Sequence, residues 1–116
     1  MGYSRAVRVG DRVVLAGTAA QRPDGTVDED PGDQTRRCLE IIGAALEEAG
    51  ASLADVVRTR MFLTSVADFD AVAKAHGEVF GEVRPANTTV VVAALLDPRW
   101  KIELEVEAVV GSGSAG

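Results

Sequence analysis

Cysteine and histidine are the scarcest reactive residues in this 116-residue chain, with one of each, Cys38 and His76. One cysteine excludes an internal disulfide framework and a Cys-rich metal centre. One histidine leaves little room for a His/Cys metal site or a Ser–His–Asp triad. Glycine-rich phosphate loops are also absent. Neither a metal nor a cofactor is therefore expected. Aromatic residues make up only 4% while hydrophobic residues make up 47%, so Val, Ala, Leu and Ile must build the core. Positive charge is in deficit, with 12 Lys and Arg against 18 Asp and Glu and a net charge of −6. Such a chain repels phosphate backbones, which argues against nucleic acid as a partner. No apolar run approaches the roughly 20 residues of a membrane helix, and the first residues lack a signal-peptide pattern. A membrane partner is not expected. Cys38, set in an apolar helical pattern, reads as a buried thiol, which suits a reducing, cytoplasmic setting.

Enough remains for one domain with one modest core. Residues 5–9 and 12–18 are short β-rich runs split by Gly10-Asp11, the signature of a tight hairpin. Asp30-Pro31 pairs a capping residue with the residue suited to the first helical position. Cys38, Ile41, Ile42, Ala45 and Leu46 then recur at helical spacing until Gly50, which predicts a helix over 32–49. Residues 56–63 read as a strand, with Val56, Arg58, Arg60 and Phe62 on one face and Val57, Thr59, Met61 and Leu63 on the other. A second helix is predicted over 67–80, capped by Ser65, with Phe69, Val72, Ala73, His76 and Phe80 as its apolar stripe. Residues 87–95 form a continuous apolar strand that suggests burial on both faces. Residues 100–110 alternate strictly, with Glu103, Glu105 and Glu107 opposite Ile102, Leu104 and Val106. The domain is expected to span 1–110, and the Gly/Ser-rich residues 111–116 to form a flexible tail.

The order ββαβαββ predicts an α+β domain with two helices on one face of a mixed sheet. No helix remains to cover the second face, and another copy of the sheet is the simplest cover.

Several segments together resemble the RidA/YjgF family. They are Gly2-Tyr3-Ser4 with Ala6-Val7-Arg8-Val9-Gly10-Asp11, the strand end Val14-Leu15-Ala16-Gly17, Gln34-Thr35, and the stretch Ala49 to Val57. Arg84-Pro85-Ala86 and Ile102-Glu103-Leu104-Glu105 complete the set. The resemblance spans residues 2–110. It implies a chorismate-mutase-like fold and a homotrimer with a barrel-like core. It also implies small-molecule clefts between subunits and hydrolysis of reactive enamines and imines to keto acids and ammonia. In that family a tyrosine near the start, an arginine after the Pro-Ala step and a glutamate on the last strand serve the cleft.

Here Tyr3 falls on the tyrosine and Glu103 on the glutamate, with Glu105 as the choice if the register slips by two. Asn87 stands at the arginine, Thr89 at a frequent cysteine and Ala16 at a frequent serine. A neutral amide cannot replace a bidentate guanidinium–carboxylate contact at equal strength. Activity on 2-aminoacrylate-type imines is therefore expected to be weak, and a less anionic enamine, imine or amide-like metabolite is the expected substrate. The alternative is a trimer that binds or senses a metabolite without turnover. A ribonuclease reading is disfavoured by the acidic charge. The candidate site comprises Glu103 as the catalytic carboxylate and Tyr3, Asn87 and Thr89 as binding residues. Arg84 and Arg60 are candidate rim cations, and His76 is an outside candidate for acid–base work.

Overall fold

The computed structural model describes residues 1–114. Strands β1 (Ala6–Val9) and β2 (Arg12–Thr18) form the expected hairpin. Gly10 sits at the first turn position with φ +60°, a backbone that favours glycine. Helix α1 (Pro31–Glu48) follows, then β3 (Val56–Leu63), α2 (Phe69–Phe80), β4 (Ala86–Val91) and β5 (Ile102–Val109). The five strands form one sheet in the order β1-β2-β5-β3-β4. Only β3 and β4 pair in parallel, joined by the α2 crossover, so the sheet is mixed. This is the α+β architecture that the element order predicts, in the chorismate-mutase-like form that the family resemblance implies.

The end signals of α1 work as read. The Asp30 carboxylate accepts from the Asp33 backbone N–H at 2.9 Å, and Pro31 opens the helix. At the other end Gly50, with φ +85°, lets the Ala51 N–H return to the Leu46 carbonyl at 2.8 Å. Cys38, Leu39, Ile42 and Leu46 of α1 and Val72 and Phe80 of α2 are buried against one face of the sheet. Val13, Leu15, Met61, Leu63, Ile102, Leu104, Val106 and Ala108 supply that face. Gln34, wholly buried, satisfies its amide on three backbone groups. It donates to the Asp28 and Arg99 carbonyls at 2.7 and 3.0 Å and accepts from the Lys101 N–H at 2.9 Å. It thereby ties the chain before α1 to the loop before β5.

Three sequence expectations need correction. The 87–95 strand is shorter, Ala86–Val91, and is the sheet edge; Val90 and Val91 are exposed in the single chain rather than buried on both faces. In β3 a register shift between Val56 and Arg58 places Val56 on the helix-covered face with Thr59, Met61 and Leu63. Simple alternation misassigned Val56 because a bulge adds one residue and inverts the pattern beyond it. The second helix begins as a short 3-10 turn, Val66–Asp68, with the Ser65 hydroxyl accepting from the Ala67 N–H; α2 proper starts at Phe69. Its buried residues are Val72, Ala75 and Phe80, while Phe69 is exposed. Of the tail expected at 111–116, residues 112–114 form a turn in which the Ser112 hydroxyl donates to the Asp55 carbonyl and the Gly113 N–H to its carboxylate. Residues 115 and 116 lie outside the described residues.

Candidate functional site

The sheet face without helices carries the charged residues. Pairing across β3 and β5 sets Arg58 beside Glu107, Arg60 beside Glu105 and Phe62 beside Glu103. Glu105 is thereby neutralised by Arg60 at 2.8 Å, and Glu107 by Arg12 on β2 at 3.0 Å. Glu103 faces an aromatic ring and forms no ion pair among the described residues. Register alone makes the three otherwise similar glutamates different.

Glu103 lines a cleft of about 640 Å³ together with Tyr3, Arg5, Gly17, Phe62 and Trp100. That size suits a small molecule. Tyr3 is exposed on the cleft wall, and Glu105 also reaches it. Gly17 opens the space at the carboxyl, since a Cβ there would stand 3.1 Å from Glu103 Cδ. Burial raises the Glu103 pKa above the usual carboxylate range, and the nearby charge of Glu105 adds to the effect. A carboxyl so placed keeps its proton more readily than a solvated one and can pass a proton to or from a bound group. Cys38 lies under β2. Burial first, then the charge of Glu103, pushes its thiol up to about 12, and Sγ contacts the Thr18 carbonyl at 3.3 Å. The thiol is a core group and not a nucleophile.

A second polar cluster sits on the helix-covered face, at the β4 edge. The Thr89 hydroxyl donates to Asn87 Oδ1 at 2.8 Å, and Asn87 Nδ2 donates to Thr59 Oγ1 at 2.9 Å. Thr59 Oγ1 lies 2.9 Å from His76 Nε2. Thr59 is completely buried, so its single hydroxyl hydrogen needs an acceptor. His76 Nε2 provides one when the ring is neutral and protonated at Nδ1. Burial lowers the His76 pKa in the same sense. Its ring also tilts against Phe80, with centroids 4.7 Å apart.

The predicted residues thus divide. Tyr3 and Glu103 share the cleft. Asn87, Thr89 and His76 are linked through Thr59 on the opposite side of the sheet, so one chain does not bring Asn87 to Glu103. Arg60 is held by Glu105 on the charged face. Arg84, with φ +53°, lines a different cavity beside Val57 and Pro85. Sequence reasoning missed Arg5, which stands two residues from Tyr3 and lines the same cleft. It also missed Thr59, whose hydroxyl among Met61 and Leu63 on a core face demanded a partner.

Fold and cleft define an α+β chain with a small-molecule-sized cavity at one end of a sheet whose second face is uncovered. The family model for endoribonuclease L-PSP matches residues 1–110. A Mycobacterium tuberculosis protein of the YjgF/YER057c/UK114 family, Rv2704, superposes with a TM-score of 0.87 at 44% identity, covering 94% of this chain and 87% of that one. Escherichia coli TdcF, solved with bound serine, superposes with a TM-score of 0.87 at 30% identity, covering 94% and 88%. The chloroplastic Reactive Intermediate Deaminase A of Arabidopsis thaliana is 35% identical over 105 residues, 89% of this chain and 56% of that protein. The chain belongs to the RidA/YjgF family. Among the described residues no helix is long and apolar enough to cross a membrane, and no cluster of His, Cys, Asp or Glu has metal-binding form.

Proposed function

We propose that this chain works as a homotrimer that holds a small metabolite in clefts between subunits. There it hydrolyses or tautomerises an enamine, imine or amide-like substrate. The observation that carries this reading is Glu103: at the cleft wall on β5, without an ion pair among the described residues, and with a raised pKa. Hydrolysis of a C=N bond adds water to the carbon and releases ammonia or an amine. Glu103 takes the proton of the attacking water and returns it to the departing nitrogen. The apolar residues left exposed on the sheet face and its edges, such as Val14, Val90 and Val109, support association with further copies. Association also offers a way for Asn87 and Thr89 of one copy to approach the Glu103 of another.

The test is Glu103→Gln against Glu105→Gln. The first should keep assembly and ligand binding while lowering turnover roughly 10²-fold or more. If Glu105→Gln alone abolishes turnover, the assignment is displaced by two residues; if neither matters, the carboxylate mechanism fails. Light scattering that reports a stable monomer at micromolar concentration removes the interface site.

Asn87 also predicts slow release of keto acid from 2-aminoacrylate imine generated in situ, and faster release in Asn87→Arg. Rates in the parent chain equal to those of an arginine-containing relative refute this. A second reading, binding or sensing without turnover, is favoured by one observation: the Asn87 amide is engaged at both ends, by Thr59 and Thr89. Ligand binding without turnover across keto acids and neutral analogues supports that reading.

A further inference from the structure

The geometry points to Arg5 as an anion anchor of the Glu103 cleft, so that the cleft takes a small carboxylate with its negative end toward the start of the chain. This rests on reading the cleft as the substrate site. Most arginines here are already neutralised: Arg12 by Glu107, Arg22 by Asp28, Arg36 by Asp33 and Glu78, Arg37 by Glu40, Arg60 by Glu105 and Arg99 by Asp97. Arg84 lines another cavity, and Arg58 lies on the charged sheet face away from this one. Arg5 lines the Glu103 cleft and has no acidic partner among the described residues.

Its guanidinium is nevertheless placed. Nη1 donates to Thr18 Oγ1 at 2.9 Å, and Thr18 is buried. The Thr18 hydroxyl donates in turn to the Ala16 carbonyl at 3.1 Å, which orients its lone pairs toward Arg5. The Arg5 carbonyl accepts from the Ala16 N–H at 2.9 Å, so backbone and side chain are both tied to β2. The Nε–Nη2 edge, a fork that matches the two oxygens of a carboxylate, has no partner among the described residues. No ion pair joins Arg5 to Glu103, although both line the cleft. In this proposal a ligand's carboxylate takes the Arg5 fork while its C=N or C=O group meets Glu103 in the same cleft. On this arrangement the positive contact absent at Asn87 is moved to a different wall rather than lost. The order of groups along the substrate differs accordingly from one gripped beside β4.

The test compares 2-oxobutyrate with its neutral amide, 2-oxobutanamide, by NMR chemical-shift titration of the assembled protein. The parent chain should bind the carboxylate about 10-fold more tightly than the amide, with shifts at Gly17 and the Trp100 indole. Arg5→Gln should weaken the carboxylate by about that factor and leave the amide unchanged, while Arg5→Lys should retain part of the preference. Equal binding of the two ligands by the parent chain overturns the anchor alone. Equal loss of both ligands in Arg5→Gln also overturns it, because a merely structural arginine would behave so. If neither ligand shifts any cleft resonance of the parent chain, the substrate-site reading and the anchor fall together.

Discussion

Thr59→Val tests the polar cluster behind β4 with almost no change of shape. The hydroxyl stands between His76 Nε2 and Asn87 Nδ2, each at 2.9 Å. Its removal loses two hydrogen bonds, each worth about 0.5–1.5 kcal/mol net. Asn87 is exposed and can turn its amide to water, so most of the loss falls on half-buried His76. Valine itself is welcome beside Met61 and Leu63, which offsets part of the cost. The balance is a destabilisation of about 1–2 kcal/mol. Replacing both partners with apolar groups should recover much of it. Thr59→Val combined with His76→Phe is therefore expected to cost less than the sum of the single changes by about 1 kcal/mol. Urea unfolding at one fixed protein concentration measures this, since association would make stability concentration-dependent. Additivity within about 0.3 kcal/mol would refute the coupling through Thr59.

Four further outcomes follow from the titrating groups. His76 has a lowered folded pKa because of burial, so the unfolded chain binds the extra proton first. Stability should fall as pH drops from about 6.5 through the folded value, and a melting series of His76→Phe should lack that component. The paired carboxylates Glu78 and Asp97, held low by Arg36 and Arg99, lose their contribution only nearer pH 4 and below, which separates the two windows. Glu103 has the opposite sign: its raised pKa gives a contribution present below the unfolded value and lost as pH rises. Glu103→Gln should therefore melt higher than the parent chain at pH 7, with the gap closing toward pH 4; a lower melting point at pH 7 contradicts the burial argument. Cys38, wholly buried with its thiol pushed up to about 12, should resist aromatic disulfide reagents in the folded protein at pH 8 and react at once in denaturant. Rapid labelling of the native chain counts against its core placement.

Local signals in the sequence determine much of the framework. Asp30, Pro31 and Gly50 bound α1 because capping and positive φ act within a few residues. Alternation along β5 separates Ile102, Leu104 and Val106 from the three glutamates because side-chain direction in a strand depends only on parity. Parity failed at Val56, where a bulge forced by pairing with β5 shifts the count. Periodicity also overestimated β4: its apolar run names a strand, but the sheet order places it at an edge and leaves Val90 and Val91 exposed in the single chain. Tyr3 and Glu103 were read from the sequence as candidate residues, and both line one cleft in the structure. The differences among Glu103, Glu105 and Glu107 were not legible, because they depend on which β2 or β3 side chains come within reach of each one. The same holds for Arg5, whose tie to Thr18 closes over 13 residues, and for the Thr59–His76 contact, which joins a strand to a helix. A sequence carries the type and parity of each side chain. Register and crossover decide which neighbour neutralises its charge or completes its hydrogen bond, and these arise only when distant segments pack.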